Sequence, residues 1–317
     1  MKIEQTHNLI PHHNNYALNI YISPSPNPVN WSSPRSLFFS ILKNAFSSSH
    51  GRRKIMLGHV NLELISPTEH LPFGMHYQYK KEGISLLLKK SGLGLLFHNM
   101  LGRFNTTKDI AVARDDFRHG KTSVLSFIID KDRFDMLKKY REQFLATGEQ
   151  YNYGLNNNPL CGPSSCLNKE TCMNNSINFG SGCSAFIISI LEQAGIHDVA
   201  IFKKWDSSIT IGESLIGPYS DQIYTKKVSF NNLHKPNKKL HNPVSLYQLI
   251  RKGGKWSHKD EATQTIHYYS PNLMYQWLIS FVNNPNEDVF SGKLVKIFKH
   301  TKYPAYQVII NLNKNTK

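Results

Sequence analysis

Residues Cys183 to Ala194 constrain the fold more than any other segment. Phe186, Ile187, Ile190, Leu191 and Ala194 recur at helical spacing in a strongly apolar run, and Gly195 closes it. A helix this apolar has to be covered by the rest of the chain. Much of the available cover reads as strand. Ala17 to Ile22 alternates, Lys54 to Ile65, Gly74 to Tyr79 and Ile84 to Lys90 follow, and Lys121 to Ile129 is rich in β-branched residues. Lys293 to Lys299 and Ala305 to Leu312 read as a closing hairpin. Further helices are predicted after Ser33-Pro34, with Leu37, Phe38, Ile41, Leu42 and Phe46 on one face, and over Asp130 to Thr147, with Phe134, Leu137, Tyr140, Phe144 and Leu145 at helical spacing. A short helix follows Asn242-Pro243. A better one follows Ser270-Pro271, where serine serves as N-cap and proline as first helical residue. The class is α+β, with an antiparallel sheet expected against the Cys183 helix.

Charge and length narrow the partners. The chain has 317 residues, with 38 Lys and Arg against 22 Asp and Glu, a formal net charge of +16. Residues 226–317 hold 15 Lys and Arg and 4 Asp and Glu, a net of +11, so more than half of the excess lies in the last third. Two readings stay open: attraction of this third to an anionic partner such as nucleic acid, an acidic lipid surface or an acidic protein, or plain solubility. Its aromatic residues follow helix- and strand-like patterns and do not read as a stacking platform for bases. With 40% hydrophobic and 11% aromatic residues, a wholly disordered chain is excluded. The best apolar run, Leu37 to Phe46, is broken by Ser40, Lys43 and Asn44 and falls well short of the ~18–20 residues of a membrane span. The start of the sequence has no apolar stretch of the signal-peptide kind, so the expected location is cytoplasmic, or exported without a classical signal peptide.

All four cysteines, Cys161, Cys166, Cys172 and Cys183, fall in one short stretch. Their spacing matches no common zinc pattern, and they are not spread as a disulfide framework would be. No metal or cofactor is expected, and His12-His13 reads as an exposed polar pair. Tyr151 to Gly182 is aperiodic, and stretches of that length inside a domain tend to be functional.

Cys183 sits where a thiol becomes a nucleophile. The first turn of a helix stabilises thiolate through the dipole and offers free backbone N–H groups to an oxyanion. His59 and His76 lie on strands that precede it, and an imidazole there can take the thiol proton. The alternative for Cys183 is a buried packing thiol, and for His59 a hydrogen-bonded core histidine.

Ser181-Gly182-Cys183-Ser184-Ala185-Phe186-Ile187, running into Leu191-Glu192-Gln193-Ala194-Gly195-Ile196, resembles the nucleophile helix of the NlpC/P60 superfamily. Gly58-His59-Val60-Asn61-Leu62-Glu63-Leu64 resembles the base-bearing strand of its circularly permuted branch, in which the histidine strand precedes the cysteine helix. That branch includes lecithin:retinol-acyltransferase-like proteins. Tyr151-Asn152-Tyr153 is similar to a Tyr/Asn segment upstream of its nucleophile. The likeness spans roughly residues 54–200, and the stretch from Cys161 to Cys172 departs from the pattern.

The resemblance implies a papain-like core at 54–225, with an N-terminal extension at 1–53 and a basic C-terminal extension at 226–317 packed on it. It implies a cysteine peptidase, amidase or acyltransferase that attacks an amide, ester or thioester through Cys183 with His59 as base, and that could serve as a secreted effector. The third position falls to His76, with Gln78 of the same strand parity and Glu63 as alternatives. The competing expectation is a non-catalytic binding protein on the same scaffold that docks by its basic surface.

Overall fold

The structure is a computed structural model that describes residues 3–6, 8–9, 15–47, 57–77, 90, 92–93, 100–146, 151–153, 182–216 and 243–313. In chain order the elements are β1 (Ile3–Thr6), β2 (Tyr16–Ser23), α1 (Pro34–Ser47), β3 (His59–Ile65), β4 (His70–Pro72), β5 (Met75–Tyr77) and β6 (Met100–Phe104). They continue with α2 (Thr107–Arg118), β7 (Ser123–Ile129), α3 (Lys131–Ala146), β8 (Tyr151–Tyr153), α4 (Cys183–Gln193), α5 (Val199–Trp205), β9 (Asp206–Gly212) and α6 (Glu213–Ile216). The last are α7 (Leu246–Lys252), β10 (Thr263–Tyr269), α8 (Pro271–Asn283), β11 (Asp288–Val289), β12 (Gly292–His300) and β13 (Tyr306–Asn311). The expected α+β class holds.

The main sheet runs β1-β12-β13-β7-β2-β3-β4, with β11 paired to β12. It is mixed, where an antiparallel sheet was expected: β1 lies parallel to β12, and β13 parallel to β7. The reason is connectivity. Strands joined by short turns pair antiparallel, but β7 and β13 are joined through most of the chain. The sheet also draws on all three expected regions. β2 comes from the first 53 residues and is flanked by β7 and β3, while β13 comes from the last third and is flanked by β12 and β7.

Both faces of the sheet are covered. On one, Leu18, Ile20, Ile22, Val60, Leu62, Leu64, Leu125 and Phe127 share a core with Phe134 and Leu137 of α3, Phe186, Ile187, Ile190 and Leu191 of α4, and Met274 and Leu278 of α8. Strand alternation turns Tyr21 and Val124 to the other face, where Ile110, Ala113 and Phe117 of α2 meet them. A separate antiparallel pair, β9 and β10, has its own cluster around Ile209, Ile211, Ile266 and Tyr268. A third sheet, β5-β6-β8, carries His76.

The helix signals held locally. Ser270 caps α8 by accepting from the Leu273 amide, with Pro271 at its start, and Gly195 follows α4 at φ +68°. The short helix begins later than expected, at Leu246, with Ser245 and Gln248 forming a capping box. In α1 the expected face holds in part: Leu37 is buried and Phe38 and Ile41 are half-buried, but Leu42 and Phe46 turn outward. Asn44 is also buried, and Phe39 is exposed. The strand predicted over 84–90 lies outside the described residues apart from Lys90, as do residues 78–79 of the one predicted over 74–79.

Candidate functional site

β3 sorts its side chains by parity. Val60, Leu62 and Leu64 enter the core shared with α4; His59, Asn61 and Glu63 point to the opposite face. Gly58, just before the strand, has φ +89°, and a Cβ there would lie 2.9 Å from Pro271 Cβ at the start of α8. Only glycine fits both the backbone and the space, so residue 58 fixes how the chain enters His59.

The imidazole of His59 is buried and tied down. Asn61 Oδ1 accepts from His59 Nε2 at 3.0 Å and from Asn105 Nδ2 at 2.9 Å. With the amides oriented this way, Nε2 is the donor to Asn61. Asn105 follows β6. Its backbone N–H donates to Gly74 O at 2.8 Å, and a Cβ on Gly74 would stand 2.6 Å from Asn105 Nδ2. Glycine at 74 therefore permits the close approach of the Asn105 amide. Among the described residues, the buried Asn105 Oδ1 has no hydrogen-bond partner.

His76 on β5 completes a histidine pair: its ring centroid lies 4.8 Å from that of His59, with the planes 58° apart. Across the strand pair, His76 is opposite Arg103 of β6. Arg103 forks onto Asp109 at 2.6 and 3.1 Å, and Asp109 also accepts from the Thr106 backbone and hydroxyl, both at 2.8 Å. Burial alone would raise the Asp109 carboxyl. The hydrogen bonds from Arg103 and Thr106 outweigh it and hold the group well below the usual carboxylate range.

Cys183 is the first residue of α4, after Gly182, and is buried. The helix packs against both β3 and β5. Among the described residues, Cys183 Sγ hydrogen-bonds Ser184 Oγ at 3.8 Å and neither imidazole. The structure thus joins His59 to His76 and to Asn61, and sets the cysteine helix against their two strands, without a thiol–imidazole hydrogen bond. Glu63, weighed as an orienting group, is committed elsewhere. Its carboxylate accepts from Tyr21 Oη at 2.6 Å and from Arg114 Nη2, and lies 3.1 Å from His70 Nδ1. Gln78 and Cys161, Cys166 and Cys172 lie outside the described residues. Tyr151-Asn152-Tyr153 forms β8, beside β6.

Two polar residues of this site were missed by sequence reasoning. Asn61 shares the strand parity of His59 two residues on, and that spacing was legible. Asn105 carried no signal, because its approach depends on Gly74 and on pairing between distant strands. Among the described residues no group of three or more His, Cys, Asp or Glu could hold a metal ion, and no helix is long and apolar enough to cross a membrane. Comparison with protein families, with curated proteins and with solved structures finds no match.

Proposed function

We propose that the protein is a cysteine-dependent hydrolase or acyltransferase with a permuted NlpC/P60, papain-like core, acting through an acyl-enzyme at Cys183. The observation that supports this best is the chain from His59 Nε2 through Asn61 Oδ1 to Asn105. It holds the imidazole in one orientation, on a strand against which the cysteine helix packs. In this reading Asn61 takes the third position, and His76 flanks the base.

The steps follow. His59 takes the Cys183 proton, and the thiolate attacks the carbonyl carbon of an amide, ester or thioester. The oxyanion is met by free N–H groups at the start of α4. The imidazolium gives its proton to the leaving nitrogen, oxygen or sulfur as the bond to it breaks. Water or another acceptor then attacks the thioester, loses its proton to His59, and releases Cys183 as the thiol. The thiol now bonds to Ser184, and α4 covers the face of β3 that His59 turns away from, so this reading needs the first turn of α4 to reach the imidazole past the end of β3, beside β5 and His76, when substrate binds; catalytic hydrogen bonds often tighten only in that complex.

Iodoacetamide labelling across pH tests the reading. Cys183 should alkylate well below about pH 8, faster than the other three cysteines, and His59→Ala should move its profile upward. Cys183→Ala, shown to be folded, should reduce turnover of acyl substrates to background. A Cys183 that labels only as an ordinary thiol, with His59→Ala changing nothing, would replace this reading with that of a binding protein.

A further inference from the structure

Helix α1 carries apolar residues on both sides: Pro34 and Leu37 are buried and Phe38, Ile41 and Ala45 half-buried on one, and a second apolar stripe lies opposite. On a helical wheel Leu37 and Asn44 face inward and are buried, whereas Phe39, Leu42 and Phe46, spaced by three and four residues, make the outward stripe at 52%, 39% and 72% exposure. The rotation is pinned by polar contacts. Asn44 Oδ1 accepts from Asn27 N at 2.8 Å and Asn27 Nδ2 at 3.0 Å, and Asn44 Nδ2 returns a bond to Asn27 O at 3.1 Å. Ser40 Oγ accepts from Asn30 N at 3.0 Å, and Arg35 donates to the carbonyls of Ile250 and Arg251 on α7 at 2.7 and 2.9 Å. Turning the apolar stripe inward would break all of these, so it is held outward.

The sequence on either side of α1 and around α7 carries one sign of charge. Between residues 5 and 62 the chain has Arg35, Lys43, Arg52, Arg53 and Lys54 and no Asp or Glu. Helix α7, which packs on α1, lies within residues 222–259, which hold nine Lys and Arg and no Asp or Glu. Lys43 on α1 and Arg251 on α7 are exposed, as is Tyr247, at 68%.

We propose that α1 is an interfacial helix that docks the protein on an anionic lipid surface, with Phe39, Leu42 and Phe46 entering the headgroup boundary and Lys43 and Arg251 beside them meeting lipid phosphates and carboxylates. An exposed helix face carrying two phenylalanines, with the exposed cations Lys43 and Arg251 beside it, suits a fluid bilayer face. A protein groove would have to supply both a pocket for the phenylalanines and carboxylates for the cations. This inference is independent of the chemistry assigned to Cys183.

The test is co-sedimentation of the full chain with vesicles of phosphatidylcholine alone and of phosphatidylcholine with phosphatidylserine, over a range of salt. Binding is expected to the anionic vesicles, to weaken with salt, and to fall at least about tenfold in Phe39→Gln/Phe46→Gln, with circular dichroism and thermal midpoint unchanged. Should the double variant fail to fold, Leu42→Gln on the same stripe is expected to weaken binding about threefold or more. The proposal is overturned if wild type binds neither vesicle, if it binds both alike without salt dependence, or if folded variants bind as wild type does. It is equally overturned if light scattering shows a wild-type dimer that the folded variant dissociates, which would make the stripe a contact between copies.

Discussion

Glu63→Leu separates a structural carboxylate from a catalytic one. Glu63 is buried, and its carboxylate is bonded to the fully buried Tyr21 hydroxyl and to Arg114. Burial and then the adjacent Glu63 charge push the Tyr21 phenol far above its usual range, so it stays a neutral donor in need of an acceptor. Removing the carboxylate orphans that hydroxyl, at about 1–3 kcal/mol. The Arg114 side chain is 39% exposed and can turn to water, so the lost ion pair adds only about 1 kcal/mol. The sum is about 2–4 kcal/mol, which for a chain of this size lowers a urea midpoint by about 1 M. Replacing the whole network, as Tyr21→Phe/Glu63→Leu/Arg114→Met, should recover most of the loss, because no buried polar group is then left unpaired. Equilibrium unfolding followed by circular dichroism measures both variants, and iodoacetamide labelling of the folded single variant should be unchanged. If Glu63→Leu proves as stable as wild type, or the triple variant is no better than the single, the network argument fails. If stability holds while the Cys183 labelling profile moves, Glu63 belongs to the site after all.

Other outcomes follow from the same contacts. The Asp109 carboxyl is depressed in the folded state, so its contribution is whole above about pH 4 and is lost as pH falls through the folded value; Asp109→Asn should flatten the acid side of the stability profile and lower stability at neutral pH by about 1–2 kcal/mol. Gly74→Ala should push the Asn105 amide from Asn61 and reduce Cys183 labelling at neutral pH more than it lowers the thermal midpoint. Phe186→Ala, in a nest with Phe73, Phe104 and Phe144 at ring separations of 5.4–5.9 Å, should cost about 3–5 kcal/mol in urea unfolding. Truncation at residue 225 removes β12 and β13 from inside the main sheet, and the product should lack the cooperative unfolding transition of the full chain.

What the sequence showed was local. Ser270-Pro271, the residues of α3 and the closing hairpin signal through neighbours a few positions away, and each forms where its pattern says. Helix α2 was readable and missed: Thr106 and Asp109 form a capping box with the spacing that marks a helix start. The face of α1 was read only in part. Its apolar periodicity is real, but Asn27, Asn30 and the end of α7 decide which side turns in. The same holds for β9 and β10, paired across some fifty residues, and for Asn105, which meets Asn61 only when β5 and β6 are paired. The order of His59 and Cys183 along the chain was plain, but the parity of β3, which turns His59 away from the core face that α4 covers, became visible only with the helix in place.

The parallel pairing of β7 with β13 also governs how the protein is made. Ser123 accepts a hydrogen bond from the Tyr306 amide, 183 residues further on. During synthesis β2, β3 and β7 can associate early, but the open side of β7 then waits for its neighbour until the ribosome has moved past Asn311. Until that moment an apolar strand edge faces the cytosol of whichever cell translates it, a template for pairing with other nascent chains. Pairing so distant in sequence also makes folding slow. Expression yield should therefore respond more to temperature and to chaperones that hold strand edges than to any substitution at the surface.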